Sequence, residues 1–190
     1  MATEQKSPRL ARCQRLREAE GLLELITLPA ACLGLDRQLR RRLARRALRS
    51  VMHLSLAGAE ACRRDLVIGQ ALRLMGRYER AIGPLLAAVR RPPETRDGWI
   101  ALGWCLKRMG RVDRAASVLA QGIANIPDDA VLHFNFACYL SRLGQADMAV
   151  AELLWAFDLN PDLRSRLPGE NDFDAIRAQP SFQALCQSVV

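Results

Sequence analysis

The chain has 190 residues, half of them apolar and a quarter charged, with a formal net charge of +8. This length bounds it to one domain, or one domain with an extension, and the apolar content excludes bulk disorder. Aromatic residues are scarce while Ala, Leu and Arg dominate, which favours helix, and no apolar run is long enough to span a membrane.

The first segment, MATEQKSPRL, has neither the apolar stretch nor the cleavage site of a secretory signal. The six cysteines (Cys13, Cys32, Cys62, Cys105, Cys138 and Cys186) form no CxxC pair and have no histidine cluster beside them. That usage indicates reduced, buried thiols in a cytoplasmic protein rather than a disulfide framework. The charge is uneven. Residues 1–64 hold 14 Lys/Arg against 6 Asp/Glu, and residues 65–190 hold 14 of each. The whole excess therefore sits in the first third.

Within that third, Ala19, Leu22, Leu23 and Ala31 have the phase of a degenerate helical hairpin over 12–40. Residues 36–61 are expected to add one long helix. Leu35, Leu39, Leu43, Leu48, Val51 and Met52 supply its apolar stripe. Arg37, Arg40, Arg41, Arg42, Arg45, Arg46 and Arg49 occupy the rest. Three readings stay open for this segment. It is a solvated face whose stripe docks on the rest of the chain, a phosphate-binding face for nucleic acid, or an amphipathic helix on a membrane surface. No aromatics are interleaved for base stacking, which weighs against single-stranded ligands.

From Cys62 onward the chain repeats. Gly76, Gly110 and Gly144 recur every 34 residues, as do Ala81, Ala115 and Ala149, and Pro93, Pro127 and Pro161. This period marks a helix–turn–helix array. In the middle unit, Trp99, Leu102, Gly103 and Leu106 share one helical face. Gly110 ends that helix, and Asp113 is placed to cap the next. Val112, Ala115, Leu119, Gly122 and Ile123 form the inner face of the second helix before Pro127. His133, Phe136, Ala137, Leu140, Leu153, Ala156 and Phe157 repeat the layout. Ile68, Gly69, Leu72, Tyr78, Leu85 and Ala88 precede it, with Asp65 in the place of Trp99.

These units resemble tetratricopeptide repeats, through Trp99-Leu102-Gly103, Gly110, Ala115, Leu119 and Pro127, over residues 62–163. Leu72, Leu106 and Leu140 stand where the family has tyrosine, and Gly122 where it has alanine. The resemblance implies an all-α fold, a right-handed α-solenoid of antiparallel helix hairpins. It divides the chain into basic N-terminal helices with a degenerate repeat (1–61), three repeats (62–95, 96–129 and 130–163) and a capping segment (164–190). That last segment is similar to the one closing bacterial arrays of this family. Phe173 and Phe182 are expected to plug the core of the final hairpin.

The resemblance also implies a concave groove lined by the first helix of each hairpin. Its positions fall on Gln70 and Arg73, then Trp104, Lys107 and Arg108, then Phe134, Asn135, Cys138 and Arg142. Trp104 ringed by arginines and an amide fits a peptide anchor, and the arginines favour carboxylate partners. The alternative is that Trp104 packs against a neighbouring helix or the N-terminal segment. The family's carboxylate-clamp pattern is not met, since Leu66, Ile100, Gln70 and Trp104 occupy its key places.

No phosphate loop, dinucleotide fingerprint or HExxH motif is present. His53 and His133 fall at core-like helical positions, and Asp172 and Asp174 read as an N-cap rather than a carboxylate pair. No cofactor and no metal are implied. The sequence therefore indicates a non-catalytic adaptor that binds another protein or peptide, with the arginines favouring an acidic one. Nucleic-acid association through 36–49 is the alternative.

Overall fold

The computed structural model describes residues 8–27, 35–91 and 95–188; Ala31, Cys32 and Pro93 lie outside them. The described residues are all helix, turn and connecting coil, with no strand. In chain order the helices are α1 (Pro8–Thr27), α2 (Arg37–Val51), α3 (Gly58–Leu74), α4 (Tyr78–Val89) and α5 (Arg96–Arg108). Next come α6 (Val112–Asn125), α7 (Ala130–Arg142) and α8 (Ala146–Leu159). Two 3₁₀ turns, Pro161–Arg166 and Asn171–Ile176, then lead to α9 (Pro180–Ser188). The chain forms two compact units, with the boundary inside α5 after Ala101.

The recurrent glycines end the first helix of each hairpin. Gly76, Gly110 and Gly144 adopt φ of +77°, +75° and +74°, a region that side chains with a Cβ avoid. Each turn closes with the same two bonds. The glycine N–H donates to the carbonyl three residues back, and the following N–H donates to the carbonyl five back, as in Arg111 to Leu106 at 3.0 Å. This is the Schellman arrangement, and it satisfies carbonyls that the helix end would leave without partners.

The recurrent alanines are fully buried. The small residues of the first helices let the hairpins close. A Cβ on Gly69 would lie 2.5 Å from Cδ2 and Cγ of Leu85, and one on Gly103 would lie 3.1 Å from Leu119 and Tyr139. Leu85 is itself fully buried and has nowhere to retreat. Gly69→Ala is therefore expected to destabilise the first unit by about 1–3 kcal/mol. Gly83→Ala, exposed on α4 with nothing within 4 Å, is expected to stabilise it by about 0.5–1 kcal/mol. Urea midpoints of the two variants check both signs.

One slot of the repeat is filled by three chemistries. Asp65, Trp99 and His133 are equivalent by the 34-residue period, and all three are buried. Asp65 is neutralised by Arg64 at 2.6 Å and Arg91 at 2.8 Å. The two nitrogens of His133 bond the Glu152 carboxylate (2.6 Å) and the Pro127 carbonyl (2.8 Å). His133 thus belongs to a polar network rather than an apolar face. His53, by contrast, is exposed in the turn after α2.

The N-terminal helices differ from expectation in two respects. Residues 36–61 are not one helix. α2 stops at Val51, and α3 begins at Gly58. Between them Leu54 turns inward, and its carbonyl accepts a bond from the Arg64 guanidinium at 2.9 Å. The buried stripe of α2 is also rotated. Ala44, Ala47 and Val51 face Leu16, Ala19, Leu23 and Ile26 of α1, whereas Leu39 and Met52 are exposed. Asp36 caps α2 through the Leu39 N–H at 2.6 Å. Asp113 caps nothing and lies within the first turn of α6, where a negative charge suits the helix dipole.

Candidate partner-binding site

The last turn of α5 carries Lys107 and Arg108, cations well matched to a helix C-terminus. One turn earlier stands Trp104, half-buried, with the Arg108 guanidinium 5.6 Å from its ring centre. Arg108 is exposed. The pair thus presents a broad apolar surface with a planar cation beside it, a geometry in which the ring's negative face attracts the charge.

The neighbouring residues of α7 are arranged differently. Phe134 and Cys138 are buried. Phe134 meets Phe173 edge-on at 5.7 Å, and Phe173 lies 5.6 Å from Phe182. The chain's own C-terminal segment therefore covers this part of α7. It is fastened by Asp172, whose carboxylate takes Lys107 Nζ at 2.5 Å and Arg142 Nη1 at 3.2 Å. The Ser141 hydroxyl donates to the Asp172 carbonyl at 2.7 Å. Asp172 is thus neither an N-cap nor half of a carboxylate pair. Glu170 caps the 3₁₀ turn, and exposed Asp174 pairs with Arg177.

Of the residues expected to line a groove, Trp104 and Arg108 form the cation–π pair on α5 and Asn135 lies on α7. Asn135 is half-buried, and its amide donates to the Val131 carbonyl at 2.7 Å. Gln70 and Arg73 are half-buried on α3, in the other unit. No group of three or more His, Cys, Asp or Glu able to hold a metal occurs among the described residues. Nor is any helix there long and apolar enough to cross a membrane.

A second apolar surface lies on α8, outside the positions expected to line a groove. Met148, Trp155 and Leu159 lie seven and four residues apart on one face of α8, with Trp155 60% exposed and its ring stacked on His133 at 6.3 Å. The signal was present in the sequence, because α8 is apolar on more than its inward face.

The five described cysteines are free thiols. Burial pushes the Cys138 thiol well above its ordinary range, and the nearby Glu170 and Asp172 charges add to the effect. Burial likewise raises Cys62 and the Tyr139 phenol. In each case the folded chain keeps a proton that the unfolded chain would release. The stability from these groups is intact below about pH 8.5 and is lost as pH rises from there. Urea midpoints at pH 7.5 and 9.5 should show this decline, and Cys138→Ala should make it shallower.

Residues 99–131 match the tetratricopeptide repeat family. With the period, the glycine turns and the all-helical fold, this match identifies a tetratricopeptide repeat within the chain. Among solved structures it is similar to MamA from Desulfovibrio magneticus RS-1 (residues 41 to the end). The identity is 18% and the TM-score 0.55, covering 92% of this chain and 96% of that one. Another MamA crystal structure gives 13% identity and a TM-score of 0.58, covering 94% of this chain and 85% of that one. At these identities the likeness is one of fold, the α-solenoid of helix hairpins. No curated protein matches the sequence.

Proposed function

We propose that the chain is a non-catalytic adaptor that binds a partner protein through the exposed end of α5, with Trp104 as anchor and Arg108 as the charged contact. The carrying observation is the Trp104–Arg108 pair, a half-buried indole with a guanidinium 5.6 Å from its centre. Large aromatics and arginines dominate the energetics of protein interfaces. The repeat fold supports an interaction role, since such arrays act through surfaces. Arg108 favours a carboxylate on the partner, because a guanidinium binds one bidentately. Lys107 and Arg142 already share the Asp172 carboxylate and contribute to a partner only if that segment moves aside. The free thiols fit a reducing compartment such as the cytoplasm.

The test is a nuclease-treated pull-down from the source lysate at about 0.15 M salt, where exposed charges are largely screened. Wild type is compared with Trp104→Ala/Arg108→Glu, with captured proteins identified by mass spectrometry. A protein held by wild type and lost from the variant is the expected outcome. Equal capture by both would remove the α5 site from the account.

A further inference from the structure

We infer that the arginine face of α2 binds the phosphodiester backbone of duplex nucleic acid, independently of the α5 site. Arg40 is half-buried and donates to the Leu35 carbonyl at 3.1 Å. The other six, Arg37, Arg41, Arg42, Arg45, Arg46 and Arg49, are exposed. At about 100° per residue Arg42, Arg45, Arg46 and Arg49 lie opposite Ala44, Ala47 and Val51, with Arg41 at the edge of that arc and Arg37 near the Ala44 side at the start of the helix. The six run along about 18 Å of helix axis.

None of the six has an ion pair among the described residues, although carboxylates are at hand in the same unit. Glu20 pairs with Arg63, Glu60 with Arg9, Asp65 with Arg64 and Arg91, and Asp36 caps the helix. Arg37, Arg41, Arg45 and Arg49 are successive like charges at i, i+4, an arrangement that mildly destabilises a helix. Glu18 and Glu24 of α1 line a pocket with Arg46 but form no ion pair with it among the described residues, so the positive charge of the face exceeds what the fold pairs.

The structure also discriminates among polyanions. A membrane-surface helix inserts its apolar side into lipid. Here that side is used up against α1 and α3, and the exposed large apolar residues of α2 and its C-cap are Leu39, at 39%, and Met52, at 48%, at opposite ends of the helix. An acidic protein partner would need an aromatic or apolar anchor for a stable interface. The arginine arc contains no aromatic, and within the helix its one exposed large apolar residue is Leu39. What remains is a ligand recognised by charge repeated along a length. Duplex nucleic acid supplies one phosphate charge for about every 1.7 Å of axis, and binding releases counterions. Without stacking side chains or a helix end aimed at bases, the contact carries no sequence preference.

The experiment is fluorescence anisotropy of the full chain with a mixed-sequence 20-base-pair DNA duplex, an RNA duplex and a single strand, from low to moderate salt. Four or five phosphate contacts give a slope of log K against log salt of about −4, near −0.9 per contact. Arg41→Gln/Arg45→Gln/Arg49→Gln should reduce that slope in magnitude by about 2.7. Glutamine is a good helix former, so circular dichroism and the melting temperature should hold. Either duplex showing this pattern supports the inference. A slope unchanged in the variant would overturn it. So would binding to phosphatidylserine vesicles, or to polyglutamate, that matches or exceeds binding to the duplexes.

Discussion

Phe173→Ala is expected to lower the stability of the second unit by about 3–5 kcal/mol, the cost of truncating a fully enclosed aromatic. Phe173 has no exposure and stands between the Phe134 and Phe182 rings. Its removal opens a cavity where the C-terminal segment meets α7 and uncovers the apolar face of the last hairpin. A repeat array needs that face closed to stay soluble. Urea denaturation followed by tryptophan fluorescence should show the loss, with new binding of a hydrophobic dye. Phe173→Leu keeps most of the volume and should cost much less. A Phe173→Ala midpoint equal to wild type would mean that the cap does not dock as described.

Asp172→Asn should have the second largest effect. The carboxylate is nearly buried and holds two cations, and Lys107 is itself only 20% exposed. Removing one partner of a buried pair costs roughly 3–5 kcal/mol, because the other charge is left without compensation. Arg142 is half-exposed and water can solvate it, so about 2–3 kcal/mol is expected. The cause is separable by a double-mutant cycle. Lys107→Met combined with Asp172→Asn should be destabilised by less than the sum of the two single changes, since the second substitution removes the charge the first left stranded. Strict additivity would contradict the coupling.

The repeat was legible because its constraints are local and periodic. Gly76, Gly110 and Gly144 need left-handed backbone, and Ala81, Ala115 and Ala149 need the absence of bulk. The burial of Phe173 and Phe182 followed from the apolar end such an array must cover. The fastening of that cap was not legible, because Asp172 reaches Lys107 across 65 residues of sequence. Nothing local in that stretch pairs the two. The end of α2 was hidden for a similar reason. No glycine or proline follows Val51 directly, and the chain leaves the helix where Leu54 is drawn inward and Arg64 takes its carbonyl. Of the candidate site, Trp104 and Arg108 could be placed because their spacing puts them one turn apart on a first helix. Phe134 and Lys107 could be placed on the same grounds, but their partners in the C-terminal segment could not. The exposure of Trp155 was not legible because the repeat pattern assigns no role to its position.

The central claim concerns Trp104 and Arg108, and calorimetric titration of the captured, purified partner tests it most directly. Wild type is set against Trp104→Ala, Arg108→Glu, and Trp155→Ala as the control on the α8 surface. The account predicts at least a tenfold loss of affinity, about 1.4 kcal/mol or more, for each α5 variant and no change for Trp155→Ala. Full affinity in both α5 variants, or loss confined to Trp155→Ala, would contradict it.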